Sequence, residues 1–514
     1  MPIDRRHFLG AAGSLMVPGS PLSARTGFGM EHVAVDVETH NVAGALHHVW
    51  EECAGSDRAA ITLRETWRQD LDRWVSEIGL KRVRFHGILN DELGVDAPTW
   101  LNAGKPRPNF RDVFEVYDGL ISHGVSPYVE LSFMPKALAS GTRTFGFYNG
   151  NVTPPASLEA WGQFIQTFIR ALANRYGVAA IRKWPFEVWN EPNLPVFWAG
   201  TQADYFAFYK ATAVAIKSVD QGIPVGGPST SATQWIGAFL DYCAANNAPV
   251  DFVSTHCYAG DPQRPIFGDV PKRPQNDVIP DAVAQARRTI EASKFSGRPL
   301  WLSEWSSDSP AMMAHIISHC LPNLQGMSHW ALSGTYEEIG VPDFLLKEGD
   351  NGFPVMFRGI ARPNFNTYKL LHALGHQQLS GQGPVLATRH ANGKVAILIW
   401  NLADVAQAMG LPAATSTRIV IGNHKRFDIH FAGAQAGAPI SVRYVDQYRG
   451  SPMPAWRAMG SPKLPTEAQI VWLRHASSIP RASAMHLDAD RRVSVVLPPE
   501  GVALIEMSGP NHHR

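Results

Sequence analysis

Short apolar runs alternate with longer amphipathic segments from about Ala45 to Leu374. The short runs are typical of strands buried on both faces, and the longer segments have the spacing of helices that bury one side. The predicted strands are Ala45–Trp50, Arg82–His86, Ser126–Phe133, Trp184–Trp189, Ile223–Gly227, Phe252–His256, Pro299–Ser303 and Gly326–Leu332. The predicted helices are Arg64–Ile78, Phe110–His123, Leu158–Tyr176, Ala203–Val219, Ile236–Asn246, Pro280–Ser293, Ala311–Cys320 and Asn366–Leu374.

This alternation predicts an α/β fold, a (β/α)8 TIM barrel. The alternative is a doubly wound open sheet, which usually carries a Gly-rich phosphate loop after its first strand. The sequence has no such loop there. We therefore assign residues 25–375 to a catalytic barrel.

After about Gly375 the helical spacing fades, and short alternating runs follow one another between Gly, Pro, Asn and Asp residues. Such a pattern predicts a small all-β sandwich over residues 376–514, packed on the barrel. The predicted strands are Lys394–Trp400, Thr417–Ile421, Phe427–Phe431, Ser441–Asp446, Val493–Leu497 and Val502–Met507.

Residues 1–24 resemble a twin-arginine signal peptide, with Arg5 and Arg6 before a short apolar run and small residues after it. The alternative is a disordered tail with a chance arginine pair. With a signal peptide, the mature protein is expected in the periplasm or outside the cell. No apolar run reaches the 18 or so residues of a membrane span.

The charges are nearly balanced, with 46 basic and 45 acidic residues and a net charge of +1. This balance favours neither nucleic acid nor a membrane surface as a partner. The four cysteines are widely spaced and lack zinc-site spacing, so we predict free buried thiols, with one bridge as the alternative, no disulfide framework and no structural metal. The oligomeric state stays open, with a homo-oligomer as one option.

Polar and aromatic residues follow most of the predicted barrel strands, where barrel enzymes hold their functional groups. The fourth strand ends in Asn190 and Glu191, and the seventh in Glu304. The eighth ends in Trp330, which we expect to line a substrate pocket. Any one of these residues alone is as well explained by a satisfied buried side chain. The agreement of several strand ends favours a functional site.

Glu191 and Glu304 lie on strands that face each other across the predicted barrel. Two carboxyl groups about 5 Å apart suit a retaining glycosidase, in which one attacks the sugar and the other protonates the leaving oxygen. Glu191 lies among aromatic residues, which disfavour its charged form, so we assign it as the acid/base. Glu304, with Tyr258 or His256 as hydrogen-bond donors, is assigned as the nucleophile.

Several stretches of the chain resemble glycoside hydrolase family 39, the family of β-D-xylosidases and α-L-iduronidases. They are Val83–Leu89, Tyr128–Pro135, Phe186–Asn193, Asp251–His256, Pro299–Glu304 and Trp456–Pro462. The resemblance implies a barrel with a sandwich, a retaining mechanism, Glu191 as acid/base and Glu304 as nucleophile. It also implies that Asn190 binds the sugar 2-hydroxyl and that His86, His256 and Tyr258 line the sugar pocket. No metal or cofactor is implied.

The expected activity is an exo-acting β-D-xylosidase that releases terminal xylose from xylo-oligosaccharides. α-L-Arabinosidase activity is the nearer alternative. An α-L-iduronidase needs a cation for the sugar carboxylate, for which Lys347 and Arg358 are the candidates, although solvated loop charge explains both. A carbohydrate-binding protein without activity is a further alternative, and the presence of both Glu191 and Glu304 argues against it. The sequence departs from the family at Trp305-Ser306 and over residues 334–362.

Overall fold

A computed structural model of the 514-residue chain describes residues 30–95, 108–307, 309–335, 337, 354–406 and 419–509. The proposed leader lies outside these ranges, so the predicted signal peptide stays a prediction. Among the described helices, none combines the length and the apolar character that crossing a bilayer requires.

Eight parallel strands close into a barrel, as predicted. In chain order they are Cys53–Arg58, Arg82–His86, Ser126–Glu130, Phe186–Glu187, Val225–Thr230, Phe252–His256, Leu300–Trp305 and Gly326–His329. The helices that follow these strands are Glu65–Ile78, Arg111–Ser122, Leu158–Tyr176, Gln202–Val219, Ile236–Asn246, Gln275–Glu291, Pro310–Cys320 and Pro363–His372. Shorter helical segments are Val49–Glu51, Ala59–Leu63, Asp91–Leu93, Val178–Ile181, Ser231–Thr233, Gln263–Phe267 and Leu321–Asn323.

Helix Leu158–Tyr176 illustrates why the helical predictions agree with the structure. Its buried residues recur at the spacing of one helix face, and they are Trp161, Phe164, Ile165, Phe168, Ile169 and Leu172. The Ser157 side chain accepts a hydrogen bond from the backbone N–H of Ala160 and caps the N-terminus. Gly177 has a positive φ of 83° and follows the last turn.

The first predicted barrel strand, Ala45–Trp50, is wrong. Residues 49–51 form a 3-10 turn, and the first barrel strand is Cys53–Arg58. This strand has the sequence CAGSDR, which is poor in β-branched and aromatic residues. Its place in the barrel comes from pairing with strands Arg82–His86 and Gly326–His329.

The β domain is a nine-stranded, mostly antiparallel sheet. From one edge to the other its strands are Ser483–His486, Pro439–Val445, Val502–Met507, Val395–Trp400, Val385–Arg389, Gln377–Gln382, Glu31–Ala45, Lys425–Ala432 and Arg492–Leu497. Strand Glu31–Ala45 comes from the N-terminal side of the barrel and pairs in parallel with Lys425–Ala432. Residues 376–514 alone therefore do not make up this domain, contrary to the predicted division.

Both faces of the sheet are buried at its centre. In strand Val395–Trp400, alternate residues contribute to the barrel core and to a second core within the β domain. This alternation follows from the two-residue period of a strand and fixes the sheet against the barrel. The remaining elements are the strands Thr144–Phe145, Gly150–Asn151, Met356–Phe357, Ile360–Ala361, Asp404–Ala406 and Ile419–Ile421, and the helices Met453–Ala458 and Glu467–Ala476.

Two helices therefore lie within the region that was predicted to be all-β. Trp456, Ile470 and Leu473 from this helical pair pack with Ile360 in a small separate core. The pair thus covers the outside of the barrel near helix Glu65–Ile78. The four cysteines are free and buried, which confirms the predicted thiols.

Candidate active site

The carboxyl ends of the barrel strands bring the predicted site residues into one pocket. Glu191 follows the fourth strand, and Glu304 lies within the seventh, Leu300–Trp305. Both side chains are largely buried, with the residues only 7% and 6% exposed. Parallel strands end at the same rim of a barrel, which is why residues so far apart in the sequence meet there.

The Glu191 and Glu304 carboxyl groups are close together, and His256 lies beside both. One ligand atom from each of the three residues lies within 4.8 Å of the other two. His256 Nδ1 is 3.1 Å from Glu191 Oε1 and 3.6 Å from Glu304 Oε2. The carboxyl separation is close to the about 5 Å of retaining glycosidases and shorter than the roughly 6.5–9.5 Å of inverting ones.

Arg84 lies beneath this pair and is completely buried. Its Nε donates to Glu187 Oε2 at 2.7 Å, and its Nη2 lies 2.9 Å from Glu130 Oε2. Its Nη1 donates to Glu304 Oε2 at 3.3 Å. Burial lowers the pKa of Arg84, but these carboxylates together raise it well above its ordinary value. Arg84 is therefore a permanent positive charge under the pocket.

The position of the Arg84 guanidinium group favours one tautomer of His256. Arg84 Nη2 is 3.2 Å from His256 Nε2, and a guanidinium group only donates hydrogen bonds. A proton on His256 Nε2 would point toward this cation, so the arrangement favours the tautomer with the proton on Nδ1. His256 Nδ1 therefore donates toward Glu191 Oε1. The sequence prediction had assigned His256 as a donor to Glu304, whereas its nearer carboxyl partner is Glu191.

Tyr258 holds the other side of Glu304, because its hydroxyl donates to Glu304 Oε1. Burial raises the pKa of Glu304, and the neighbouring Glu191 carboxyl raises it further, whereas the positive charge of Arg84 lowers it. The net direction is upward. The donor expected from Tyr258 is thus in place, but desolvation by burial outweighs it.

Asp261 adds a third carboxyl group near this pair. Its Oδ2 accepts a hydrogen bond of 2.8 Å from the backbone N–H of Tyr258. Burial, with the charges of Glu191 and Glu304 adding to it, raises the pKa of Asp261 to about 7. Asp261 thus braces the backbone of the residue that holds Glu304.

His86 and Trp330 lie against each other at the carboxyl ends of their strands. His86 Nδ1 lies 2.7 Å from Glu130 Oε2, and the rings of His86 and Trp330 have centroids 4.7 Å apart. A Cβ atom on Gly55 would lie 2.7 Å from Trp330 Cε3. The absence of a side chain at Gly55 therefore allows the Trp330 ring to lie against the first barrel strand.

The backbone around Glu191 is strained. Trp189, Glu191 and Ser229 have positive φ values of 74°, 42° and 54°, a region that residues with side chains rarely adopt. The N–H of Glu191 donates to the carbonyl of Ser229 at 2.9 Å and holds this geometry. Such strain is concentrated at functional sites, where the surrounding structure maintains it.

Asn190 retains a hydrogen-bond donor for a ligand. Its Oδ1 accepts a hydrogen bond of 3.0 Å from Arg84 Nη2. Its Nδ2 is buried and has no hydrogen-bond partner among the described residues. A buried donor without a partner is costly, and a bound hydroxyl group would satisfy it.

The cations considered for a sugar carboxylate lie elsewhere or outside the described residues. Arg358 Nη2 donates to Glu467 at 3.0 Å, on the outside of the barrel. Lys347 lies outside the described residues, as do Glu338, Asp343, Glu348 and Asp350 of the same loop. Glu337 is described, and its carboxylate accepts hydrogen bonds from Arg58 and Arg64.

Glu191, His256 and Glu304 offer three atoms that are close enough to coordinate a cation. Both oxygens of Glu304 already accept hydrogen bonds, one from Tyr258 and one from Arg84. A divalent ion would lie beside the permanent charge of Arg84. The donor set thus suits a pair of carboxylates in an acid–base reaction better than a metal centre.

Sequence reasoning missed the roles of Arg84, Glu130 and Glu187. All three are buried charged residues within strands, at 0% to 1% exposure. A charged residue inside an apolar strand is almost never buried without a partner, and this signal was present in the sequence. The sequence could not identify which carboxylates would surround the arginine.

Comparison with known proteins agrees with this geometry. The sequence pattern of the protein family described as "Glycosyl hydrolases family 39" matches residues 33–492 of this chain. The chain is 32% identical over 467 residues to a beta-xylosidase of Caldicellulosiruptor saccharolyticus, which covers 85% of this chain and 90% of that protein. It is 23% identical over 388 residues to the human alpha-L-iduronidase, covering 65% of this chain and 57% of that protein.

A solved structure has the same fold over nearly the whole length. The monomeric beta-xylosidase of Caulobacter crescentus CB15 superposes with a TM-score of 0.81 at 30% identity, and the match covers 93% of this chain and 99% of that one. Together with the matched family and the paired carboxyl groups in the barrel, this likeness shows that the chain is a glycosidase that belongs to glycoside hydrolase family 39.

Proposed function

We propose that the protein is a retaining, exo-acting β-D-xylosidase that releases terminal xylose from xylo-oligosaccharides. The observation that carries the retaining mechanism is the proximity of Glu191 and Glu304, whose oxygens lie within 4.8 Å of each other. At this distance one carboxylate attacks the anomeric carbon directly, because no room is left for a water molecule between it and the sugar.

In the first step the Glu304 carboxylate attacks the anomeric carbon, and the bond from that carbon to the leaving oxygen breaks. Glu191 gives its proton to that oxygen, so the aglycone leaves as a neutral alcohol. Glu304 is then joined to the sugar as an ester. In the second step Glu191 removes a proton from water, the hydroxide attacks the anomeric carbon, and Glu304 is released as a carboxylate.

Neighbouring groups serve these two steps. Arg84 and Tyr258 stabilise the charge on Glu304 before attack and after release. Asn190 Nδ2 donates to a sugar hydroxyl, a contact that strengthens in the transition state. We assign His86, His256 and Trp330 to the wall of the sugar pocket, where an aromatic ring and an imidazole suit an uncharged sugar.

The choice of xylose is supported by relatives that bear the name beta-xylosidase and align over most of this chain. Among the described residues near the pair, Arg84 already contacts Glu130, Glu187 and Glu304, so it is not available for a sugar carboxylate. This favours a neutral sugar over iduronic acid. α-L-Arabinosidase activity is the remaining alternative, because arabinopyranose differs from xylose at one hydroxyl group.

A panel of nitrophenyl glycosides tests both the sugar and the role of Glu191. We expect the β-xyloside to have the highest kcat/KM, and xylotriose to release xylose and xylobiose. In Glu191→Ala, substrates with poor leaving groups should lose activity by about 10²–10⁴-fold, and those with good leaving groups much less. Equal losses for both kinds of leaving group contradict the acid role.

A 2-fluoro-xyloside with a good leaving group tests the nucleophile. The fluorine slows release of the sugar, so intact-mass analysis should show one sugar attached, and peptide mapping should locate it on Glu304. Glu304→Gln should form no such adduct. An unlabelled wild-type protein that still binds xylose would instead indicate a carbohydrate-binding protein without turnover.

A further inference from the structure

A second cavity lies on the outside of the barrel, away from the carboxyl pair. It has a volume of about 450 Å³, and its lining includes Gln69, Arg73, Arg358, Arg474 and His475. Helix Glu65–Ile78 of the barrel provides one side, and helix Glu467–Ala476 of the β domain provides the other. We call it the arginine cavity. It is within the size range of small-molecule sites but is lined by cationic rather than apolar groups.

The turn at the base of the arginine cavity is strained. Strands Met356–Phe357 and Ile360–Ala361 pair as a hairpin with the two-residue loop Arg358–Gly359. Both loop residues have positive φ, 47° for Arg358 and 76° for Gly359, as a type I′ turn requires. A type I′ turn prefers Asn or Gly at the first of its two loop residues, which is the position of Arg358. An arginine there is a strained choice whose side chain lines the cavity.

The turn is held rigidly from both sides. Arg73 Nη1 donates to the carbonyl of Gly359 at 2.5 Å, and Arg474 Nε donates to the carbonyl of Arg358 at 2.6 Å. The N–H of Gly359 donates to Asp70 at 2.7 Å. These bonds fix the guanidinium groups of Arg73 and Arg474 relative to the turn before any ligand binds, which lowers the entropic cost of binding.

Three arginines line the arginine cavity, and carboxylates outside the lining neutralise part of their charge. Glu77 is shared by Arg73 and Lys369, with Lys369 Nζ at 2.6 Å from Glu77 Oε2. Glu467 is shared in the same way by Arg358, at 3.0 Å, and Arg474, at 4.0 Å. Among the described residues that line the cavity itself, Arg73, Arg358 and Arg474 are cationic and none is a carboxylate.

Guanidinium donors remain available in the cavity. Within the described residues, Arg358 makes one hydrogen bond through Nη2, and Arg474 makes one through Nε. Each guanidinium group has five N–H donors in a plane that matches a carboxylate or a sulfate oxygen pair. Glu467 is 65% exposed at its side chain, so water screens its attraction for both arginines.

We propose that the arginine cavity binds an oxyanion, held by Arg358 and Arg474 and supported by the charge of Arg73. The oxyanion is carried either by a free ion such as sulfate or by the carboxylate of a uronic acid residue, since the cavity has room for a monosaccharide unit. The site is distinct from the carboxyl pair, so its existence does not depend on the proposed xylosidase activity.

Arg358→Asn tests the site without weakening the fold. Asn is the preferred residue for the first position of a type I′ turn, so the variant should be at least as thermally stable as the wild type. It lacks the guanidinium group and should bind the anion about tenfold or more weakly. Arg182→Asn is a matched control, because Arg182 pairs with Asp220 at 2.7 Å elsewhere on the surface.

Binding is measured by isothermal titration calorimetry and by the shift in Tm with sodium sulfate, sodium glucuronate and glucose, against sodium chloride at equal ionic strength. Sulfate stabilises most proteins without binding to one site, so the decisive quantity is the difference between wild type and Arg358→Asn. We expect saturable binding of at least one anion, lost in Arg358→Asn and retained in Arg182→Asn. The tighter of the two anions identifies the source of the oxyanion.

The proposal is overturned by two results. One is the absence of saturable binding of either anion to the wild type. The other is equal binding by wild type and Arg358→Asn. Hydrolysis of a nitrophenyl xyloside by Arg358→Asn should match the wild type in either case, which separates this site from the proposed activity.

Discussion

Replacing Tyr258 by Phe removes a single hydroxyl group that donates to Glu304 Oε1. The side chain is buried, at 5% exposure, so the ring is expected to stay in place. Glu304 must be ionised to attack the sugar. Its ionisation therefore sets the acid side of the pH profile, and the change should appear there.

The expected size of the effect follows from the hydrogen bond. A hydrogen bond to a charged group contributes about 1.5–3 kcal/mol, and one unit of pKa corresponds to about 1.4 kcal/mol. Loss of the hydroxyl should therefore raise the already raised pKa of Glu304 further, and the acid limb of the pH profile should move by about one to two pH units. The proton is then lost only at higher pH, so the acid limb moves upward.

The assay is kcat/KM against pH with an aryl xyloside that has a good leaving group, so that proton donation does not limit the rate. Glu191 and Glu304 interact, so the limb reports the pair rather than one residue. Tyr209→Phe is the control, because the Tyr209 hydroxyl donates to the Pro249 carbonyl on the barrel exterior, at 2.8 Å. An acid limb that does not move in Tyr258→Phe refutes the assigned role of this hydrogen bond.

Two further predictions concern Asp70, which holds the turn at the arginine cavity, and Gly55, which lies against Trp330 in the barrel. Burial raises the pKa of Asp70 from 3.8 to about 6. The folded protein therefore binds this proton more tightly than the unfolded chain, and about 3 kcal/mol of stability is lost as the pH rises from about 4 to about 6. Asp70→Asn should remove that loss. If the Tm difference between Asp70→Asn and the wild type stays constant across pH 4–7, the raised pKa of Asp70 is contradicted. Gly55→Ala should lower Tm and raise KM, because its Cβ would lie 2.7 Å from Trp330 Cε3, an overpacking that costs about 1–3 kcal/mol. Gly44→Ala, where no atom lies within 4 Å, is the control, and equal KM values for both variants would refute the role of Gly55.

Local sequence determined much of the barrel. Strands Arg82–His86 and Phe252–His256 and helices Leu158–Tyr176 and Ile236–Asn246 have the predicted bounds. Their hydrophobic spacing, caps and turns all favour one local structure, and so tertiary contacts do not change it. The position of Glu191 after its strand also followed from local pattern, because Pro192 cannot continue a strand.

Long-range pairing decided the rest. Strand Glu31–Ala45 joins the β domain by pairing with a strand almost 400 residues later, and no local signal specifies that partner. The first barrel strand, Cys53–Arg58, has little β-propensity and depends on its two neighbours. Arg84 was visible as a charge inside an apolar strand. The three strands that surround it with Glu130, Glu187, Asn190 and Glu304 meet only when the barrel closes.

The sequence by itself thus determined the type of chemistry, because two glutamates at strand ends and the local motifs around them suffice to predict a glycosidase. Only the tertiary structure decided how each carboxyl group is held. The hydrogen bonds from Tyr258 and Arg84 to Glu304, and from His256 to Glu191, join residues from four different strands or the loops that follow them. Electrostatic interactions depend on distances of a few ångströms and on burial, and neither quantity exists until the chain has closed on itself.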